Sequence, residues 1–114
     1  MKLIDRRTDD GSRHFACLPK TADWETFRDH LAQLPDLRVT NFVPKGIVEP
    51  WIDFAYQGHQ FVVREQRGEV WFFVDNPQCC DLLLYQVVLH SQGLLCKGER
   101  LSAKMILPLP GQTG

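Results

Sequence analysis

Neither sign of charge dominates this sequence. Thirteen lysines and arginines face fourteen aspartates and glutamates, for a formal net charge of −1 at pH 7. A DNA-binding domain that works by neutralising phosphates needs a clear basic excess, which is missing. No stretch approaches the roughly 18 consecutive apolar residues needed to span a bilayer. The N-terminus, MKLIDRRTDD, puts charges where a signal peptide has its apolar segment. The expectation is a soluble, cytoplasmic protein with no membrane association.

Other absences narrow the chemistry. The four cysteines (Cys17, Cys79, Cys80, Cys96) form no CxxC pair, and two of them are adjacent. That arrangement suits reduced thiols better than a disulfide framework. There is no GxSxG, no Walker lysine loop and no GxGxxG. No histidine has an acid or cysteine partner at zinc-ligand spacing, so no metal and no cofactor is expected. No internal repeat or low-complexity segment divides the chain.

What is present is enough apolar residue for one core. Of 114 residues, 44% are hydrophobic, which fits one domain and is short for two. The domain is expected over residues 1–93, with 94–114 as an edge strand or a loose C-terminal segment. In that segment Leu101, Ala103, Met105, Leu107 and Leu109 alternate, but Pro108 and Pro110 interrupt.

Local patterns give the elements. KLIDRR and HFACL read as short strands around a turn marked by Asp10-Gly11. The run DRRTDDGSR reads as a solvated turn. Trp24, Phe27, Leu31 and Leu34 recur on one face of a helix over about 22–34, capped by Thr21 or Asp23. LRVTNFV reads as a strand with Leu37, Val39 and Val43 on one side. A second helix is predicted over about 77–91, with Asn76 as cap, Pro77 at its first position and Gly93 after its end. Its main stripe is Cys80, Leu83, Leu84, Val87 and Val88. Leu82, Tyr85 and Leu89 form a second stripe almost opposite.

Between the helices lie WIDFAYQ, HQFVVREQ and EVWFFVD. Two-residue turns at Gln57-Gly58 and Arg67-Gly68 make these a three-stranded meander. One face then collects Ile52, Phe54, Tyr56, Phe61, Val63, Val70, Phe72 and Val74. Glu65, opposite Val70, is the exception. A one-residue slip in the first hairpin scatters this set, so the register is fixed by burial. The predicted fold is α+β: an antiparallel sheet of four to six strands centred on 51–75, with both helices mainly on the phenylalanine face.

The same register defines a second face. Trp51, Arg64 and Trp71 fall in one row, and Asp53, Val62 and Phe73 in the next. An arginine flanked by two indoles can stack on both. Two tryptophans, a phenylalanine and a valine amount to about 500–900 Å² of mostly apolar surface. Soluble monomers rarely leave a patch that large uncovered. The cover is the protein's own chain, a second copy, or another molecule.

The function expected from these features is a non-catalytic interaction module. It binds a protein partner, or itself, through Trp51, Asp53, Val62, Arg64, Trp71 and Phe73, or through an open strand edge. One alternative is a small enzyme with Cys79 as nucleophile, its thiolate favoured by free N–H groups at a helix start. His90 stands about 16 Å along that helix from Cys79 and cannot assist it. His14 and Cys17, at odd spacing on a strand, are expected to face opposite ways. A further alternative is a single-stranded RNA binder that stacks bases on the aromatic row. Nucleic acid is disfavoured by Asp53 and Asp75 on the same face.

Overall fold

The structure, a computed structural model, describes residues 2–46 and 48–96. Six strands form one open antiparallel sheet in the order β1-β2-β6-β5-β4-β3. The strands are β1 (Arg6–Arg7), β2 (Arg13–Pro19), β3 (Leu37–Val43), β4 (Trp51–Tyr56), β5 (His59–Gln66) and β6 (Glu69–Val74). Helices α1 (Trp24–Leu31) and α2 (Asp81–Leu95) complete an α+β fold. Most of the predicted C-terminal segment, residues 97–114, lies outside the described residues.

The meander has the predicted register. Phe54 pairs with Phe61 and Ile52 with Val63, and across the next ladder Val63 pairs with Phe72 and Phe61 with Val74. Both connecting turns place two residues in the left-handed region: Gln57 and Gly58 at φ 52° and 80°, Arg67 and Gly68 at 52° and 78°. Turns of this type carry the twist of the flanking strands, which is why two residues suffice. Ile52, Phe54, Phe61, Val63, Phe72 and Val74 are buried on one face. Phe54 stacks on Phe61 with ring centres 5.0 Å apart, and Phe15 meets Phe61 edge-on at 5.9 Å.

Both helices supply the opposing layer of this core. From α1 come Trp24, Phe27 and Leu31, and from α2 Leu84, Val87, Val88 and Leu95. Asp23 caps α1 by accepting from the Thr26 N–H at 2.7 Å. The two helices are also tied by a histidine pair. The His30 and His90 rings stack at 4.2 Å, and each donates its Nε2–H to the other's backbone carbonyl, at 2.6 and 2.5 Å.

The second helix is displaced four residues from its predicted span. Asn76 and Pro77 start a separate turn: Asn76 accepts from the Gln78 N–H at 2.9 Å through its side chain and from the Cys79 N–H at 3.0 Å through its carbonyl. Asx-Pro chemistry serves a turn as readily as a helix start. That turn carries the chain from the end of β6 onto the sheet, and Cys80 becomes the N-cap. At the other end Gly93 does not stop the helix. Leu95 is buried, and its carbonyl accepts from Thr21 Oγ1 at 2.6 Å. These tertiary contacts outweigh the local cost of a helical glycine.

Two bulges re-phase the outer parts of the sheet. One, between Val39 and Asn41, puts Phe42 beside Ile52 and Val43 beside Trp51. Val43 is therefore on the opposite side from Leu37 and Val39. Arg28 sits 4.7 Å from the centre of the Phe42 ring. The other bulge lies between His14 and Ala16. It turns Phe15 fully into the core.

Glu65, the polar exception on the apolar face, has a partner: it accepts from the indole Nε1–H of Trp24 at 3.1 Å. Glu65→Gln keeps an acceptor and is expected to be nearly neutral. Glu65→Ala leaves a buried indole N–H unpaired and should cost about 1–2 kcal/mol, measured as a shift of the urea midpoint.

Candidate functional site

The outer face of the sheet, away from both helices, holds the predicted binding residues in the predicted rows. Trp51, Arg64 and Trp71 are consecutive cross-strand neighbours, as are Asp53, Val62 and Phe73. The first row continues on β2 with Cys17 and the second with His14. Cys17 and His14 thus share this face, contrary to the odd-spacing expectation. The bulge at Phe15 inserts one residue between them and restores their phase.

His14 changes how the aromatics are used. Its ring stacks on Trp71 at 4.4 Å with planes 11° apart, and on Phe73 at 5.0 Å. The Arg64 guanidinium lies 5.1 Å from the centre of Phe73. The arginine is therefore placed on the phenylalanine, where an indole pair was expected to take it. Trp71 already has an imidazole as partner. The patch is also smaller than its composition implies, because Phe73 is only 8% exposed.

Part of the cover comes from the first hairpin. The turn from Thr8 to Ser12 joins β1 to β2 and projects over the outer face. It is held by its own hydrogen bonds. Thr8 N–H donates to Ser12 O at 2.9 Å and Gly11 N–H to Thr8 O at 3.0 Å. Asp10 Oδ1 accepts from the Ser12 N–H, from Ser12 Oγ and from Thr8 Oγ1. These donors lower the Asp10 pKa to about 2, so the carboxylate is ionised at any ordinary pH. Gly11 has φ 89°, a conformation that favours glycine.

Between turn and sheet is an open cavity of about 570 Å³. Its floor is Trp51, Val62, Arg64 and Phe73, and its wall is Thr8, Asp9, Asp10 and Ser12. Four of the six predicted binding residues line it. Asp53 lies beside it and accepts from the Trp51 indole N–H and from Asn41, both at 3.3 Å. Trp71 stands apart, donating its indole N–H to Glu69 at 3.2 Å. The sheet edges are less available. Edge strand β3 is bent by its bulge, and the opposite edge is begun by the two-residue β1.

Sequence patterns did not reveal the cavity wall or His14. Asp10-Gly11 marks the turn, but nothing local says which way a hairpin folds. His14 could have been found only by anticipating the bulge.

His14 is 2% exposed, with Nε2 donating to the Ala16 carbonyl at 3.1 Å and Nδ1 lacking a partner. Burial pushes its pKa below the ordinary 6.5. The folded protein therefore holds this ring neutral, while the unfolded chain takes up a proton near pH 6.5. The stability contribution is complete above that pH and declines as pH falls through 6.5 towards the lower folded value. Urea midpoints at pH 7.5 and 5 should show wild type losing stability, and His14→Phe, which keeps a ring in the stack, losing less. Equal slopes for the two proteins would remove His14 as a source of the dependence.

The cysteine alternative loses its geometry. Cys79 precedes the helix instead of being its third residue, and it is 4% exposed. Burial pushes its thiol pKa up, away from a reactive thiolate. Among the described residues no group of three or more His, Cys, Asp or Glu side chains is placed to hold a metal ion. Nor is any helix among them long and apolar enough to cross a membrane. No family model matches the chain, and no match is found among curated proteins or solved structures.

Proposed function

We propose that the protein is a non-catalytic binding module that takes a segment of a protein partner into the cavity between the Thr8–Ser12 turn and the sheet. One observation carries this reading: a cavity of about 570 Å³ on the face that the core does not use, floored by Trp51, Val62, Arg64 and Phe73. A half-exposed tryptophan and an exposed arginine in a concave site are the residue types that dominate interface energetics. The carboxylates of Asp9, Asp10 and Asp53 at or beside the cavity oppose a polyanion, so an RNA strand fits less well.

The test is selection from a displayed random-peptide library, with Trp51→Ser as counter-target. Trp51 is half-buried at the outer face, so the variant should stay folded. Clones that bind wild type and lose at least about tenfold in affinity for the variant are expected. A selection that yields no clone dependent on Trp51 contradicts the proposal.

Self-association is the second reading, favoured by the outer stripe of α2, where Leu82 and Leu89 are 63% and 59% exposed. A mass in solution that rises to twice the chain mass with concentration, and returns to one in Leu82→Lys/Leu89→Lys, supports it. A constant monomer mass excludes it.

A further inference from the structure

Resting on the proposed interaction role, we infer that the group seated in the cavity is a basic side chain, arginine or lysine, of an extended partner segment. The outer-face rings differ in what they already touch. Trp71 carries His14, and Phe73 carries both His14 and the Arg64 guanidinium. Trp51 has no ring or cation stacked on it among the described residues, although it forms part of the cavity floor. An indole face is electron-rich and is the strongest aromatic partner for a cation.

The charges around that vacant indole agree. Asp9 and Asp10 line the wall across from it, and Asp53 sits against the indole edge. Asp10 stays ionised because its turn donates three hydrogen bonds to it. The one cation of the lining, Arg64, is placed over Phe73 and forms no ion pair among the described residues. The cavity thus presents two carboxylates against one guanidinium, with a third carboxylate adjacent. A partner's guanidinium or ammonium group stacks on Trp51 while donating towards Asp9. An acidic side chain there meets like charges on two sides. The turn is held by its own hydrogen bonds, so the wall is formed before anything binds, which lowers the ordering cost of association.

The probes are two pentapeptides, acetyl-Gly-Leu-Arg-Leu-Gly-amide and the same peptide with Glu at its centre. The readout is the Trp51 indole N–H resonance, with the Trp24 indole, buried in the core, as internal control. The arginine peptide should shift the Trp51 signal saturably and leave Trp24 in place, and the glutamate peptide should shift neither. Asp9 makes no hydrogen bond within the turn among the described residues, so Asp9→Asn leaves the wall intact. It should weaken the arginine peptide about threefold at low salt, within the range of an exposed charge pair, and the difference should shrink in 0.5 M salt. Equal binding of the two peptides, or no effect of Asp9→Asn, overturns the inference. If neither peptide shifts Trp51 while library selection still yields Trp51-dependent clones, the basic-group assignment fails and the interaction role stands. If selection yields none either, both fail.

Discussion

Phe61→Ala should remove about 3–5 kcal/mol of stability, the largest single-residue loss expected in this domain. Phe61 is 1% exposed and sits at the centre of the sheet. Its ring stacks on Phe54 with planes 2° apart, meets Phe15 edge-on, and lies 6.5 Å from Tyr56. Alanine forfeits the burial of the ring and leaves a cavity between two rigid layers. The neighbouring rings belong to two strands on either side of β5, β2 and β4, and cannot collapse into the space together. Domains of this size are stable by only about 5–15 kcal/mol. The midpoint of thermal unfolding should therefore fall by about 12–40 °C, at 4–8 °C per kcal/mol. Trp51→Ser, on the outer face of the adjacent strand, should move the midpoint by only a small fraction of that. A Phe61→Ala loss below about 1.5 kcal/mol would show that the layers repack freely.

The second large effect lies at Arg13. Its guanidinium is almost fully buried yet has three partners in two segments, the N-terminal stretch and α2. Nε donates to the Ile4 carbonyl at 3.0 Å and lies 3.4 Å from Asp5 Oδ1, while Nη1 reaches Asp81 Oδ1 at 3.0 Å. The last contact joins β2 to the first turn of α2, where a carboxylate also faces the positive end of the helix dipole. Asp5 and Asp81 keep 60% and 64% of their side chains in water, so they lose little solvation in the pair. The arginine is the costly member, and removing it also leaves the Ile4 carbonyl without its donor. Arg13→Met is expected to cost about 2–3 kcal/mol. Asp81→Asn should cost less, because the other two partners remain. Urea denaturation of both single variants and the double variant gives the coupling directly. An Arg13→Met protein within about 0.5 kcal/mol of wild type would show that the contacts contribute only geometry.

The meander was legible because two constraints agreed. Glycines at 58 and 68 fixed short turns, and only one register then collected the phenylalanines on one side. The placement of Trp51, Arg64 and Trp71 followed from that register without further assumption. Features that depend on a residue out of phase were not legible. The bulges at Phe15 and near Thr40 moved His14 and Val43 to the outer face, and alternation gives no warning of either. Arg13 looked like part of a solvated turn because Asp81, the partner that ties it to α2, is 68 positions away. Asn76-Pro77 carried correct local chemistry, but it built a turn where a helix start was equally compatible. The cavity wall had the same difficulty: the Asp10-Gly11 turn was visible, and its position over the sheet is a tertiary fact.

The proposed function requires a sheet with one face for folding and the other left free for a partner. A saturation scan of soluble abundance tests it most directly, comparing polar substitutions at Ile52, Phe54, Phe61, Val63 and Phe72 with those at Trp51, Val62 and Arg64. Loss of soluble protein at every position of the first set and near wild-type abundance across the second is the predicted result. Losses at Trp51 and Val62 as severe as those at Phe54 and Val63 would contradict it, because the outer face would then belong to the folding core.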